Sequence, residues 1–206
     1  PGFFEFITLL AFLYFADLKV DIAIIEVGIG GRLDATNVIT PIASVITSVG
    51  FDHLEQLGNT KELILNEKLG IVKNKVPLFT AVKEEALINQ MITKCKFFQS
   101  DFIKVDFKRL KIKNIGLDSS EFSYKDFEKL VIKLPGVHQI ENSVLAIEVV
   151  NYLNKKSNLK VSCELLYEGL ISTTWPGRLE CVSNDPLIYI DGGHNIDCIK
   201  RVCEFV

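Results

Sequence analysis

Apolar runs of two lengths open the chain. Residues 3–16 are almost entirely apolar and long enough for a helix, whereas residues 21–27 and 43–49 are short apolar runs typical of buried strands. Glu5 interrupts the first run, which at about 1.5 Å per residue is also too short to cross a membrane. We therefore predict a core helix packed on the strand that follows it.

Helical and strand patterns continue to alternate up to residue 94. A helix is predicted over residues 60–73, with Asn59 or Thr60 as its N-cap. A short apolar strand is predicted at residues 76–82, and another helix at residues 84–94. Buried strands that alternate with helices predict an α/β fold with a mostly parallel sheet flanked by helices.

The pattern changes between residues 97 and 134. Segments 102–107 and 122–124 alternate apolar with polar side chains, and residues 116–120 have the composition of a turn. This alternation predicts short, half-exposed antiparallel strands, and hence a small antiparallel β portion beside the parallel sheet.

Helical periodicity then returns. A helix with a largely buried face is predicted over residues 141–154, and a shorter one over residues 162–170 with Ser162 as its N-cap. The chain breaks at residues 175–178, and a strand at 187–190 leads into the start of another helix. This last strand and helix cannot bury their own faces, which indicates that a second domain begins here.

Composition excludes several classes of protein. The chain is 48% apolar and 24% charged, which suffices for a packed core, and its net charge of −3 argues against a general nucleic-acid binder. Its five cysteines include no C-x-x-C pair, so we expect reduced thiols in a cytoplasmic protein.

Two of the predicted strands end in polar side chains. Glu26 precedes the glycine-rich turn 28–31, and His53 follows the second apolar run. A carboxylate and an imidazole at the ends of parallel strands would form a partial ligand set for Mg²⁺. Glu26 can equally be a partner of Arg32 or of backbone amides, and His53 a hydrogen-bonded structural residue. The turn does not fit the dinucleotide template, because Leu33 replaces the third glycine.

Four other residues carry chemistry only if their context supports it. Lys68 would ordinarily be a surface lysine of a helix, and Arg178 a solvated loop arginine. Asp191 and His194 follow the last predicted strand and can be explained as a turn and its caps.

Seven motifs in order along the chain change this assessment. They are Phe4-Glu5-Phe6, EVGIGGRLDATN (Glu26–Asn37), TSVGFDHLEQLGNT (Thr47–Thr60), EKLGIVK (Glu67–Lys73), GVHQIENS (Gly136–Ser143), WPGRLE (Trp175–Glu180) and DGGHN (Asp191–Asn195). Together they resemble the folylpolyglutamate synthase / dihydrofolate synthase family of the Mur ligase superfamily. The resemblance implies a cytoplasmic ATP-dependent ligase that joins L-glutamate to folate or dihydropteroate through an acyl phosphate. It implies Mg²⁺ as cofactor, a monomer when full length, and no nucleic-acid or membrane partner.

The resemblance also assigns roles to individual residues. Glu26 and His53 match the Mg²⁺ ligands, and Lys68 matches the lysine that the family carbamylates. Arg178 matches an arginine that neutralises phosphate charge. With His53 and Lys68, it is expected to take part in catalysis.

The remaining assignments concern the nucleotide and the folate. Asn142 matches the residue that contacts adenine, and Asp191 and His194 match the nucleotide-facing edge of the C-terminal domain. The loop of Arg32, Leu33, Asp34 and Ala35 is expected to line the pteroate or folate site.

The same resemblance implies a domain organisation. Residues 1–174 correspond to the central ATP-binding ligase domain, and residues 175–206 to a linker and the start of a Rossmann-like C-terminal glutamate-ligase domain. The family's P-loop is expected before the segment matched by Pro1, so we do not expect these 206 residues to turn over by themselves.

Two other functions remain open at this stage. One is another Mur-type amino-acid ligase, although the Gly30–Asn37 loop favours the folate branch. The other is a non-catalytic module that binds a nucleotide or a metal.

Overall fold

The computed structural model of the chain describes residues 2–157 and 159–205. The helices of this part are α1 (Phe3–Leu18), α2 (Leu54–Leu57), α3 (Lys61–Lys68), α4 (Glu85–Phe97), α5 (Val137–Lys156), α6 (Cys163–Ser172) and α7 (Ile196–Phe205). Short 3-10 turns lie at Ala35–Val38, Leu69–Ile71 and Phe107–Arg109.

The strands of the described residues form three sheets. They are β1 (Ser44–Ile46), β2 (Leu78–Thr80), β3 (Phe102–Lys104), β4 (Leu110–Ile115), β5 (Ser120–Tyr124), β6 (Phe127–Ile132), β7 (Glu180–Asn184) and β8 (Leu187–Ile190). The first sheet has the order β1-β2-β3, the second β4-β5-β6, and the third is the pair β7-β8. Helices with one parallel and two antiparallel sheets confirm the predicted α/β class.

The chain divides into two compact units. Unit 1 contains the described residues of Pro1–Ser44, Val49–Leu78 and Glu84–Phe102. Unit 2 contains those of Val45–Ser48, Phe79–Lys83 and Ile103–Val206.

Backbone hydrogen bonds show the direction of the first sheet. Leu78 N donates to Asp101 O at 2.9 Å, and further along Val105 N donates to Thr80 O at 2.9 Å. Both partners advance together along β2 and β3, which is the parallel arrangement. The predicted parallel sheet is therefore confirmed, although its strands are shorter than the apolar runs suggested.

The segment 21–27, predicted to be a buried strand, forms no strand. Within the described residues the sheet is complete as β1-β2-β3 without it. The side chain of Ile24 is 93% exposed and that of Ile22 50% exposed. A strand requires a hydrogen-bonded neighbour, which apolar composition does not supply. The prediction was wrong for this reason.

Helix α1 forms as predicted but is not a core helix. Its only buried residue among those described is Thr8. Large exposed side chains include Phe3, Phe6, Leu9, Leu10, Leu13 and Tyr14. The strand expected beneath the helix does not form, so the predicted packing partner is absent from the described part of the chain. No helix described, α1 included, combines the length and apolar character that a membrane span needs.

Several helix caps and strand boundaries can be compared with the predictions from the sequence. Thr60 caps α3 and Ser162 caps α6, each by accepting a backbone N–H bond through its hydroxyl. β8 spans the predicted residues 187–190. By contrast, β3 belongs to the parallel sheet and not to the antiparallel region predicted for residues 102–107.

A buried carboxylate joins α5 to the β4-β5-β6 sheet. The Tyr124 hydroxyl donates a short hydrogen bond to the Glu148 carboxylate, and Lys125 Nζ lies 2.5 Å from Glu148 Oε1. The same hydroxyl accepts a bond from Asp106 N at 3.3 Å. Burial, followed by the hydrogen bond to Glu148, raises the pKa of the Tyr124 phenol. Glu148 is therefore buried with two partners, as a core carboxylate must be.

We expect Tyr124→Phe to weaken the packing of α5 on this sheet by about 2 kcal/mol, because Glu148 then keeps only one partner. Native-state hydrogen exchange of the α5 and β5 amides measures this loss. Tyr167→Phe is the matched control, since its exposed hydroxyl donates to Glu128 O. Equal losses in both variants would contradict a special role for the buried pair.

Candidate active site

The glycine-rich turn is organised by Asp34. Its Oδ2 accepts bonds from Gly28 N at 3.1 Å and Ile29 N at 3.0 Å, and its Oδ1 accepts from Thr36 N at 2.9 Å. Partial burial raises the pKa of Asp34, but the hydrogen bonds from Thr36, Ile29 and Gly28 outweigh it and lower the pKa. Both carboxylate oxygens are thus engaged by the loop, which fixes its shape. Ala35, beside it, is half-buried.

This loop packs directly on the C-terminal end of α3. Arg32 N donates to Glu67 O at 2.8 Å, and Arg32 Nη2 lies 3.1 Å from Glu67 Oε1. A Cβ on Gly31 would lie 2.9 Å from both Glu67 O and Lys68 O, and one on Gly70 would lie 2.2 Å from Arg32 Cα. Glycine is therefore required at both positions for the close approach. The Arg32 partner is Glu67, whereas Leu33 is 79% exposed.

His53 has an unusual backbone conformation. Its φ of 48° and ψ of 44° lie in the left-handed region, immediately before α2. Its backbone N donates to Asp52 Oδ1 at 2.8 Å, and its Nε2 lies 3.9 Å from the same oxygen. The left-handed region costs a non-glycine residue energy and is enriched at ligand sites. His53 therefore holds an exposed imidazole beside a carboxylate.

Lys68 is the last residue of α3 and lies next to the glycine-rich loop. Burial lowers the pKa of Lys68, and the negative charge of Asp52 acts in the opposite direction. The net lowering increases the fraction of neutral amine. The effect of Asp52 on this pKa places Asp52 within electrostatic range of Lys68 in unit 1.

The structure also shows how far these residues fit a divalent metal. Glu26 is exposed and lies two residues before the glycine-rich turn. Among residues 2–157 and 159–205, no three His, Cys, Asp or Glu side chains form a protein-only metal site. Mg²⁺ commonly takes one or two protein ligands and completes its octahedron with phosphate oxygens and water. Glu26 and His53 are both exposed, and a carboxylate with an imidazole is a donor set of that size.

In unit 2, Asn142 lies on the exposed side of the second turn of α5. Its Nδ2 donates to Gln139 Oε1 at 3.2 Å, which orients the amide. α5 begins at Val137, four residues before the predicted start, and its N-cap is Gly136 with φ 96°. The first turn of α5 contains the polar residues His138 and Gln139, so helical periodicity alone missed it.

The Asp191 carboxylate joins the residue after Arg178 to the turn after β8. Its Oδ2 accepts from Leu179 N at 2.9 Å, and its Oδ1 accepts from Gly193 N at 2.7 Å. Asp191 therefore holds the backbone beside Arg178 to the DGGHN turn.

The side chains of Arg178 and His194 are both exposed. Arg178 lines an open cavity of about 360 Å³ together with Trp175 and Lys133. His194 Nδ1 forms a hydrogen bond with Gly192 O at 3.0 Å. Both side chains can therefore reach a ligand from solvent.

A charged cluster surrounds the start of α5. The sequence analysis did not predict it. Burial is the largest cause that lowers the pKa of His138; the charge of Arg201 lowers it further, whereas Asp191 and Glu141 raise it. Glu141 also pairs with Lys83. His138 and Glu141 lie in the same motif as Asn142, GVHQIENS (Gly136–Ser143). Membership of this motif was the sequence signal that could have identified them. Their partners are distant in sequence and could not be inferred from it.

Comparison with known proteins extends these observations. The Mur ligase middle domain family matches residues 3–150. The dihydrofolate synthase/folylpolyglutamate synthase of Bacillus subtilis (strain 168) is 40% identical over 210 residues, covering 99% of this chain and 49% of that protein. The chain spans about half the length of the curated relatives it matches.

Solved structures share the fold. A folylpolyglutamate synthase from Thermotoga maritima matches with a TM-score of 0.87 at 36% identity, covering 100% of this chain and 47% of that chain. An FPGS–AMPPCP–folate complex matches with a TM-score of 0.89 at 35% identity, covering 98% of this chain and 50% of that chain. The Mur ligase middle domain matches more than half of this chain. The chain therefore belongs to the Mur ligase family and corresponds to the middle domain of that family.

Proposed function

We propose that the whole protein containing this chain is an ATP-dependent ligase that joins L-glutamate to folate or dihydropteroate. The observation that carries this proposal is the structural match, over 98% of the chain, with a complex that holds AMPPCP and folate. The dihydrofolate synthase/folylpolyglutamate synthase of Bacillus subtilis, at 40% identity, supports the same reaction.

The proposed chemistry has two steps. A carboxylate oxygen of the folate attacks the γ-phosphorus of ATP, the bond to the ADP oxygen breaks, and an acyl phosphate forms. The amine of glutamate then attacks the acyl carbon, loses a proton, and phosphate leaves as the amide forms. The protein mainly positions the reactants and neutralises charge in such phosphoryl transfers.

Residues of unit 1 are assigned to the metal and the folate. Glu26 and His53 would hold Mg²⁺, which when bound neutralises phosphate charge. The exposed Leu33 offers an apolar surface to a pteridine ring, and Arg32, fixed by Glu67, keeps the loop on α3. Asp34 and Ala35 support the shape of this loop.

Lys68 is assigned to carbamylation. Its neutral Nζ would attack the carbon of CO₂ to form an N–C bond, and loss of a proton would give a carbamate anion. The lowered pKa of Lys68 favours this reaction, because only the neutral amine is nucleophilic. The resulting anion would help to hold the metal or position the phosphate.

Residues of unit 2 are assigned to the nucleotide. The amide of Asn142 has both a donor and an acceptor, the pair that adenine N7 and N6 require. Arg178 would neutralise phosphate charge as the acyl phosphate forms. Asp191 holds the backbone beside Arg178, and His194 offers an exposed imidazole at the same turn.

Substrate dependence of phosphate release tests this proposal. With ATP, Mg²⁺ and the whole protein, we expect phosphate release only when two further substrates are present. One is glutamate, and the other is dihydropteroate or tetrahydrofolate. Mass spectrometry should show the glutamyl product in equal amount. Phosphate release that does not depend on the folate substrate, or that requires a peptidoglycan precursor instead, would count against the proposed function.

We further infer a cytoplasmic monomer, with a domain boundary between residues 174 and 175. The irregular segment between the end of α6 and the start of β7 supports that boundary. Sedimentation of the whole protein at several concentrations tests the monomer, since a mass that rises with concentration would contradict it.

A further inference from the structure

One carboxylate near the start of α5 joins three separate parts of unit 2. Glu141 Oε1 lies 2.5 Å from Lys83 Nζ, and Glu141 Oε2 lies 3.9 Å from Arg201 Nη1. Lys83 follows β2, whereas Arg201 belongs to α7. Each oxygen of Glu141 therefore faces a cation from a different element, and the Glu141 side chain is only 18% exposed.

The first of these cations is held on a second side. Lys83 Nζ lies 4.5 Å from the centroid of the Phe107 ring, within the range of a cation–π interaction. Phe107 belongs to the 3-10 turn that precedes β4. Lys83 Nζ thus contacts both this turn and Glu141 of α5, while its side chain is 58% exposed.

The second cation lies beside the first turn of α5. Burial and then the charge of Arg201 lower the pKa of His138, so Arg201 is close to that imidazole. The charges of Asp191 and Arg178 also act on His138. His138, at the start of α5, therefore lies within electrostatic range of Arg178 and of Asp191 in the DGGHN turn.

Within the described residues, no side chain caps the start of α5. Its N-cap is Gly136, which offers no side chain to bond the first N–H groups. Glu141 and Asn142 are adjacent in the next turn and point about 100° apart around the helix. Contacts that hold Glu141 therefore restrain the rotation of the α5 backbone that carries Asn142. A displacement of about 1 Å at Asn142 would break a hydrogen bond to a base, since these bonds weaken steeply beyond about 3.2 Å.

We propose that Glu141 is a positioning residue for the nucleotide, which holds α5, Lys83 and Arg201 together so that Asn142 meets the base. This inference rests on the proposed function, which assigns Asn142 to adenine. Partly exposed ion pairs contribute little to stability, so the expected effect of Glu141 is on binding geometry and not on folding.

Binding of AMPPCP to the whole protein tests the proposal by calorimetry. For Glu141→Gln we expect the Kd of AMPPCP to rise about five- to tenfold, because small misplacements of a positioned group are costly. The matched control is Glu121→Gln, which removes the 2.8 Å pair between Lys113 and Glu121 on the β4-β5 surface. We expect the control to bind AMPPCP within about twofold of the unsubstituted protein.

Two further variants test the route through the cations. Lys83→Met and Arg201→Met should each weaken AMPPCP binding less than Glu141→Gln does. Adding Lys83→Met to Glu141→Gln should change the Kd little further, because residues that act through one contact are not additive. In steady state, Glu141→Gln should raise the KM for ATP and leave kcat and the KM for glutamate nearly unchanged.

Several outcomes would overturn the proposal. They are a Kd for Glu141→Gln no higher than that of Glu121→Gln, or effects of Lys83→Met and Glu141→Gln that simply add. A parallel loss of kcat, of every KM and of thermal stability would show a merely structural role. If the unsubstituted protein binds AMPPCP but releases no phosphate with folate and glutamate, the proposed function fails while the Kd comparison still decides the role of Glu141.

Discussion

Replacing Lys68 by alanine is expected to lower the ligase activity of the whole protein by at least about a hundredfold. The change removes an amine that is partly buried beside Asp52 and whose pKa is lowered by burial. Alanine is a good helix former, so α3 should remain intact. Phosphate release in the presence of folate and glutamate measures the loss, and added bicarbonate should not restore it.

Carbamylation itself can be observed in the same comparison. With isotopically labelled bicarbonate, NMR should show a carbamate signal in the unsubstituted protein that is absent from Lys68→Ala. The matched control is Lys61→Ala, at the other end of α3, whose Nζ lies 2.5 Å from Glu84 Oε1. Full activity in Lys68→Ala, or equal losses in the two variants, would show that Lys68 is an ordinary surface lysine.

Replacing His53 by asparagine is expected to reduce ATP use at limiting Mg²⁺ by about 10- to 100-fold. Asparagine is chosen because it tolerates the left-handed backbone of His53, whereas alanine would add strain there. The loss therefore reports on the imidazole and not on the backbone. The initial rate as a function of Mg²⁺ concentration measures it, and saturating Mg²⁺ should recover part of the rate.

Glu26→Gln should show the same shift in Mg²⁺ dependence if Glu26 is the second ligand. Glu55→Gln is the matched control, since Glu55 is exposed on α2 two residues after His53. Should the Mg²⁺ dependence of His53→Asn and Glu26→Gln equal that of Glu55→Gln, neither residue belongs to a metal site.

Local signals predicted much of the fold. The hydroxyls of Thr60 and Ser162 accept the backbone bonds expected of N-caps. The strand at residues 187–190 also lies where its apolar run indicated. These features depend on neighbours within a few residues, so the sequence contains the information that determines them.

Features that depend on distant partners were not predictable. The apolar segment 21–27 has strand composition but no hydrogen-bonded neighbour in the described chain, and β3 joined the parallel sheet despite its alternating pattern. β7 was not predicted because its residues Glu180–Asn184 are mostly polar and, in the part of the chain that the structure describes, pair with β8. Strand pairing is decided by tertiary context and not by composition.

The candidate site shows the same division. The order of the motifs pointed to Lys68, His53 and the glycine-rich loop. The packing of this loop on α3 is seen only in the structure. The contacts of Glu141 with Lys83 and Arg201 join residues far apart in sequence. The charge pattern along the chain did not indicate them, and only the fold brings these side chains together.

The most direct test of the proposed reaction follows one oxygen atom. If a folate carboxylate attacks ATP, an oxygen of that carboxylate must leave with the phosphate when the amide forms. With folate or dihydropteroate carrying isotopically labelled carboxylate oxygen, we predict that the phosphate released by the whole protein carries one labelled oxygen. Amide formation with unlabelled phosphate would contradict the acyl phosphate, and with it the account of this chain as part of a glutamate ligase.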